Sequence, residues 1–157
     1  MKKILLTLLV CCGILQHINA QRIEENKFDF SDGVTYSIKR FYSSKSSAYG
    51  DAGFYQTNYY QKGHKFKTVL IQFSNTTNSD VEIDFQKFFL IDKNNKKYDI
   101  HQVVQGMKIT TTTENYKMIL KAGKTRSFMA KFWPLFPNDE KIERMEVNGK
   151  LILLKEI

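Results

Sequence analysis

Cysteine is almost absent. The chain has two, Cys11 and Cys12, adjacent and close to the N-terminus. If the segment that holds them is removed, no disulfide, no Cys-ligated metal site and no thiol nucleophile can form. Proline is equally scarce: Pro134 and Pro137 are the only two, and they bracket a short segment near the C-terminal third. No strong amphipathic helix pattern appears anywhere. The sole long apolar stretch, Ile4 to Leu15, is too short for the roughly 20 residues a membrane-spanning helix needs, and the rest of the chain shows no transmembrane segment. Acidic residues are the minority charge, 16 against 24 lysines and arginines.

The N-terminus accounts for several of these features together. Lys2 and Lys3 precede the uncharged run, which closes on Gln16-His17-Ile18-Asn19-Ala20 with a small residue at its end. That is the order of a secretory signal peptide over residues 1–20, with cleavage expected after Ala20 and a secreted or periplasmic product. Cys12 follows Cys11, and Cys11 follows Val10, so neither has the small preceding residue of a lipidation site. Both are read as apolar positions of the signal, with a lipid-anchored form as the alternative. A chain from residue 21 has 22 basic and 16 acidic side chains, a net +6. The basic residues are scattered, so the charge suits solubility and loose attraction to anionic surfaces and does not suggest nucleic acid.

What is there is the grammar of strands. Short runs of β-branched and aromatic residues recur between clusters of Gly, Asn, Asp and Lys. Residues 21–33 read as a polar lead-in. Val34, Tyr36 and Ile38 then alternate with polar residues. Ser43 to Gly50 reads as a loop, and Phe54 to Tyr60 as a short strand turned back by Lys62-Gly63. The longest strand, Lys65 to Asn75, has Val69, Ile71 and Phe73 on one face and Phe66 and Leu70 on the other, which predicts a central strand covered on both sides. Asn75 to Asn78 is turn chemistry. Val81, Ile83 and Phe85 alternate with Asp80, Glu82 and Asp84. Lys93-Asn94-Asn95-Lys96, Ala122-Gly123 and Asn148-Gly149 each predict a hairpin turn, the last most strongly. Phe128, Ala130 and Phe132 are expected to face inward. Residues 102–115, with threonines at 110–113, carry no clear pattern, and 141–144 allow a helical turn. About eight or nine strands follow, and the fold class is all-β: an antiparallel immunoglobulin-like β-sandwich over residues 34–157, one domain and a monomer.

The order of these pieces resembles bacterial secreted immunoglobulin-like sandwiches of the immunoprotective extracellular protein type. The likeness rests on Val69-Leu70-Ile71-Gln72-Phe73-Ser74-Asn75, on Phe88-Phe89-Leu90-Ile91-Asp92 running through Lys97-Tyr98, and on Leu120-Lys121-Ala122-Gly123 leading to Phe128 and Phe132-Trp133-Pro134. It covers residues 34–154. The Asn95-Lys96 turn departs from the pattern by lacking a glycine. The resemblance implies export and a sandwich, and brings no catalytic residues with it.

Candidate chemistry is thin. Asp80, Glu82 and Asp84 put three carboxylates on one strand face, a pattern that attracts cations but is equally explained by lysines on a neighbouring strand. Asp92 to Asn95 starts like a calcium loop, yet Lys97 and Val103 stand where Gly and Glu are needed. His64 and His101 lie in no zinc-binding spacing. No G-x-S-x-G elbow exists. No catalytic residue, cofactor or metal is expected. The segment from Tyr36 to Lys67 interleaves aromatic and basic residues, and Tyr42, Tyr55, Tyr59, Tyr60 and Lys62 are the candidate contacts for a protein or glycan partner. Trp133, Leu135 and Phe136 read as packing of a proline-flanked loop.

Overall fold

The computed structural model describes residues 27–49, 57–105 and 116–154. The signal-peptide segment, the cleavage position, Tyr55 and the threonines at 110–113 lie outside the described residues. Twelve strands are found among those described: β1 (Lys27–Ser31), β2 (Val34–Ser44), β3 (Ser46–Tyr49), β4 (Thr57–Tyr60), β5 (His64–Asn75), β6 (Val81–Asp84), β7 (Phe88–Ile91), β8 (Lys97–Gln105), β9 (Lys117–Leu120), β10 (Thr125–Pro137), β11 (Arg144–Val147) and β12 (Lys150–Leu153). The one helical element is a 3-10 turn at Phe85–Lys87. Eight strands join in the order β1-β2-β5-β10-β8-β7-β11-β12, while β3-β4 and β6-β9 form two-stranded ladders. Every pairing is antiparallel.

The long sheet curls until its ends face each other, which makes the molecule an antiparallel β-sandwich. Ring contacts record the closure. Phe73 of β5 lies 6.1 Å from Phe88 of β7 and 6.1 Å from Phe85, and Phe30 of β1 lies 6.3 Å from Phe88. Phe73, Phe85, Phe88, Phe128, Phe132 and Phe136 are all essentially inaccessible to solvent. They form one cluster with Val34, Val69, Ile71, Leu90, Met145 and others. Packed rings of this kind, edge-on or offset, stabilise beyond the area they bury.

Three irregularities interrupt the ladders, and the two single-residue bulges in β2 and β8 keep the apolar residues in phase. In β2, Ile38 pairs with Ile71 but Arg40 pairs with Leu70. Lys39 is therefore an extra residue, and beyond it Phe41 turns inward while Arg40 and Tyr42 turn outward. Without this bulge, strict alternation after Ile38 would drive Arg40 into the core. In β8, His101 is extra where Lys131 pairs with Gln102 and Phe132 with Ile100. In β10, Phe132 pairs with Lys67 and Phe136 with Lys65, so Trp133, Pro134 and Leu135 stand opposite Phe66 alone.

The same register puts Lys65 and Lys67 of β5 on the inward face, below Val69, Ile71 and Phe73. Lys67 is 5% exposed. Burial lowers its pKa to about 8, and Lys65 adds to the effect. Burial raises Tyr36 to about 12, and it raises Tyr98 to about 12 with help from the hydrogen bond to Asp92.

One end of the sandwich is closed by a buried asparagine. Asn75 is 1% exposed. Its Nδ2 donates to the carbonyls of Ser79 at 2.8 Å and of Leu120 and Lys121 at 3.3 Å, while its Oδ1 accepts from Thr77 N at 2.9 Å and Thr77 Oγ1 at 2.7 Å. The neighbouring Thr76 N and Oγ1 both donate to Gly33 O. Gly33 has φ +68°, and a Cβ there would come within 2.6 Å of Thr77 Cγ2. The Asn75 side chain thus ties two turns together, and Thr76 adds the turn at Gly33.

Several sequence expectations are revised. The lead-in contains β1, whose Phe28 and Phe30 pack on the core, so the sandwich begins ahead of residue 34. Ser43 to Tyr49, expected as a loop, continues β2 and forms β3. Residues 141–144 form no helical turn, and Arg144 opens β11.

Two predictions follow from these buried polar groups. Asn75→Ala should lower unfolding free energy by about 2–4 kcal/mol, because several buried backbone groups lose their partner together. Asn75→Asp should cost more, since a carboxylate would face three carbonyl oxygens. Urea denaturation of both variants checks the order. The second concerns pH. Lys67 is held with a depressed pKa, so its penalty applies below pH 8 and lifts as the unfolded amine also loses its proton, towards 10.5. Tyr36 and Tyr98 act in the opposite sense, because the unfolded chain ionises near 10 and the fold near 12. The urea midpoint should rise from pH 8 to about 10 and fall above it.

Candidate functional site

The carboxylate row does not gather into a site. Glu82 and Asp80 are exposed on β6 and its lead-in. Lys117 Nζ lies 3.0 Å from Glu82 Oε1, and Lys121 Nζ 2.7 Å from Asp80 Oδ2. Ala122 N also donates to Asp80. The hydrogen bond from Lys121 is the main reason the Asp80 carboxyl sits below its ordinary range. Asp84 caps the 3-10 turn by accepting from Gln86 N at 3.1 Å. These are cross-strand pairs and a cap, and exposed pairs of this type contribute little to stability.

Asp92 is likewise a turn residue. Its Oδ1 accepts from Asn94 N at 2.8 Å and Lys96 N at 2.9 Å, and Tyr98 donates to Oδ2 at 3.2 Å. Asn95 takes the positive φ, 64°, that a glycine often supplies. A cleft of about 240 Å³ opens beside this turn, lined by Lys93, Asp139, Glu143 and Arg144 among others. The Arg144 guanidinium is already committed to Asn95 Oδ1 and the Asp92 carbonyl. Among the described residues, no three His, Cys, Asp or Glu side chains assemble as metal ligands. His64 Nδ1 sits 3.1 Å from Lys62 O, and His101 lies beside Trp133, so the two histidines share no site.

The outward face of β2-β5-β10-β8 has more character. Pairing places Tyr42, Thr68, Lys131 and Gln102 in one cross-strand row, with Arg40, Leu70 and Met129 in the next. Alternation along β10 puts Trp133 on this face, one residue beyond inward Phe132 and paired with Asp99. Its ring centroid lies 6.2 Å from Phe66 and 5.4 Å from His101. Trp133 and Tyr42 are each 39% exposed, whereas Phe66 and Thr68 beneath are 5% and 8%. The face is therefore an aromatic rim over a partly dry floor. Burial lowers the Lys131 pKa. Burial, and secondarily the Lys131 charge, lowers that of His101.

The candidate residues read from sequence scatter across this picture. Tyr42 is on the outer face. Lys62 is exposed in the β4–β5 turn, where Gly63 O accepts from Asn138 N. Tyr59 and Tyr60 belong to β4, opposite Ser47 and Ser46. Tyr55 is outside the described residues. No contact joins Tyr42 to Lys62. Trp133 was read as loop packing, but β10 continues through it to Pro137. Phe136 is core, and Trp133 is surface. Simple alternation was the available signal: counting on from Phe128, Ala130 and Phe132 keeps Phe136 inward and sets Trp133 outward.

These features define an antiparallel β-sandwich domain. Two solved structures share its fold. One is an uncharacterised β-sandwich protein of Clostridium difficile 630, 14% identical, with a TM-score of 0.54 over 81% of this chain and 87% of that one. The other is a conserved hypothetical protein of Bacillus anthracis, 16% identical, with a TM-score of 0.53 over 83% of this chain and 93% of its own. No protein-family model matches the chain, and no curated protein does.

Proposed function

We propose that this chain is an exported, non-enzymatic binding module that engages a protein or glycan through the outer face of β2-β5-β10-β8. The observation that carries the proposal is the placement of Trp133 and Tyr42. Both large rings are exposed on one sheet face, whereas every other aromatic whose surroundings are described is buried or half-buried. Flat rings backed by Phe66 and flanked by Arg40 and Lys131 suit a sugar ring or an aromatic and acidic peptide surface. Export rests on the charged, apolar and small-residue order of residues 1–20. The resemblance to secreted sandwiches of the immunoprotective extracellular type agrees with it.

A second reading has its own observation. Among the described residues, strand β12 pairs only with β11, and its Leu151 and Leu153 are 56% and 69% exposed. An open, apolar strand edge invites pairing with another chain. This favours a structural or assembly role in a cell-envelope complex, and a hydrolase with an unrecognised site is the weakest of the three.

Trp133 is the chain's single tryptophan, so intrinsic fluorescence reports on this face alone. Titration with soluble envelope oligosaccharides and with partners recovered by crosslinking should shift the Trp133 emission. Trp133→Ala and Tyr42→Ala should each weaken that binding roughly ten-fold or more, about 1.4 kcal/mol, with melting temperature little changed. Binding that survives both substitutions rejects the face. Intact mass of the product recovered from an expressing bacterium tests export: a chain starting at Gln21 is expected, and a retained Met1 overturns it.

A further inference from the structure

The inward face of the same strand pair holds a feature that the binding reading does not use. Positions 65 and 67 of β5 continue the inward register of Val69, Ile71 and Phe73, where an apolar residue would be the stabilising choice. Both are lysines. Lys67 is 5% exposed, and its Nζ lies over the Phe41 ring, 4.9 Å from the centroid. Its hydrogen bond goes to a neutral group, Ser43 Oγ, at 3.0 Å. Lys65 Nζ donates to Asn138 O. After burial itself, the neighbouring Lys65 charge is the next cause that lowers the Lys67 pKa. The carboxyl group on this side is Glu140, 8% exposed, which sits 4.0 Å from the exposed Lys93 ammonium. Its Oε1 is buried without a hydrogen-bond partner. Glu140 favours the charged form of Lys67, but as the smallest of the contributions.

We propose that Lys67 is a covalent capture site for small aldehydes, with Lys65 as the positioning cation that keeps its amine nucleophilic. An amine desolvated against a ring, with a second ammonium beside it and no carboxylate paired to it, is the arrangement that turns a lysine into a Schiff-base former. Access comes from the Ser43 side, since Ser43 is itself exposed and the amine lies one hydroxyl beneath it. The chemistry balances without a further reactant. The nitrogen lone pair forms a C–N bond to the aldehyde carbon as the C=O π bond breaks, and the oxygen takes a proton to give a carbinolamine. Loss of that oxygen as water, with the remaining nitrogen proton, leaves the imine. With Lys67 at about 8, about a tenth of its amine is neutral at pH 7, against well under ~0.1% for an ordinary lysine.

The test uses the folded full chain, acetaldehyde as the probe and cyanoborohydride to trap the imine, with peptide mass spectrometry reading each lysine. At pH 7, Lys67 should be ethylated at least about ten-fold faster than exposed Lys62 and Lys93. Its rate should climb with pH to a midpoint near 8. Lys65→Met should slow Lys67 at pH 7 and leave Lys62 unchanged. Lys67 reacting no faster than the exposed lysines, or with a rate still climbing through pH 10, overturns the proposal. The pH profile needs no substitution, so a variant that fails to fold does not obscure the answer. Because the probe is read at Lys67 and not at Trp133, this result stands apart from the fate of the binding face.

Discussion

The structure depends on Phe73 meeting its partners across the sandwich. Its ring touches Phe30, Tyr36, Phe85, Phe88 and Phe128, with centroids between 5.4 and 6.1 Å. Those partners come from both layers, so this one position fixes how far the sheet must curl. Each such pair contributes on the order of 0.5–1.5 kcal/mol beyond burial. Disulfides serve that purpose in many small domains. Here the described residues contain no cysteine, and aromatic density closes the layers in their place. The asparagine two residues beyond Phe73 then fixes the adjacent end, because strand β5 cannot slide without leaving Asn75 facing the wrong carbonyls.

Much of this was legible in the residues. Alternation in β5, β6 and β10 assigned inward faces that the register bears out, and Asn148-Gly149 joins β11 to β12 as its turn chemistry requires, with both residues at positive φ. The antiparallel sandwich follows from those faces. What escaped were the places where alternation breaks. A period-two pattern carries no mark for an extra residue, so Lys39, His101 and Trp133-Pro134-Leu135 read as ordinary strand or loop. Strand β1 escaped for the opposite reason: Phe28 and Phe30 do alternate, but their neighbours are charged and an edge strand of five residues looks like a linker. Ser43 to Tyr49 escaped because small polar residues have little strand propensity of their own, and β3 is held by its pairing with β4 rather than by its composition.

The candidate site was harder to read than the fold, and the physical reason is the same. Sequence proximity put Tyr42, Tyr55, Tyr59, Tyr60 and Lys62 into one group. Strand pairing instead aligned Tyr42 with Thr68, Lys131 and Gln102, residues up to 89 positions away. A surface on a β-sheet is assembled across strands, and the cross-strand neighbours of a residue are set by register, which depends on every bulge between. One miscounted residue in β2 would put Arg40 inside and move Tyr42 to the core side.

Both notable features of the molecule lie where β10 departs from regular pairing with β5. Between Phe132 and Phe136 the chain inserts two residues more than β5 offers opposite, an even surplus that leaves both phenylalanines inward, while alternation sets Trp133 outward over Phe66. A regular strand would keep Phe132 inward and Trp133 outward, but Phe136 and Pro137 would lose their partners at Lys65 and His64. Keeping that pairing is what anchors the lower end of β5, where Lys67 lies opposite Phe132 on the inside and Phe66 lies under Trp133 on the outside. A buried lysine at the end of a phenylalanine-lined face is destabilising compared with an apolar residue of similar volume. Its presence at the strand position where the outer face also departs from regular packing means that this end of β5 departs from the apolar pattern on both faces, whereas the Phe73 end is packed for stability alone.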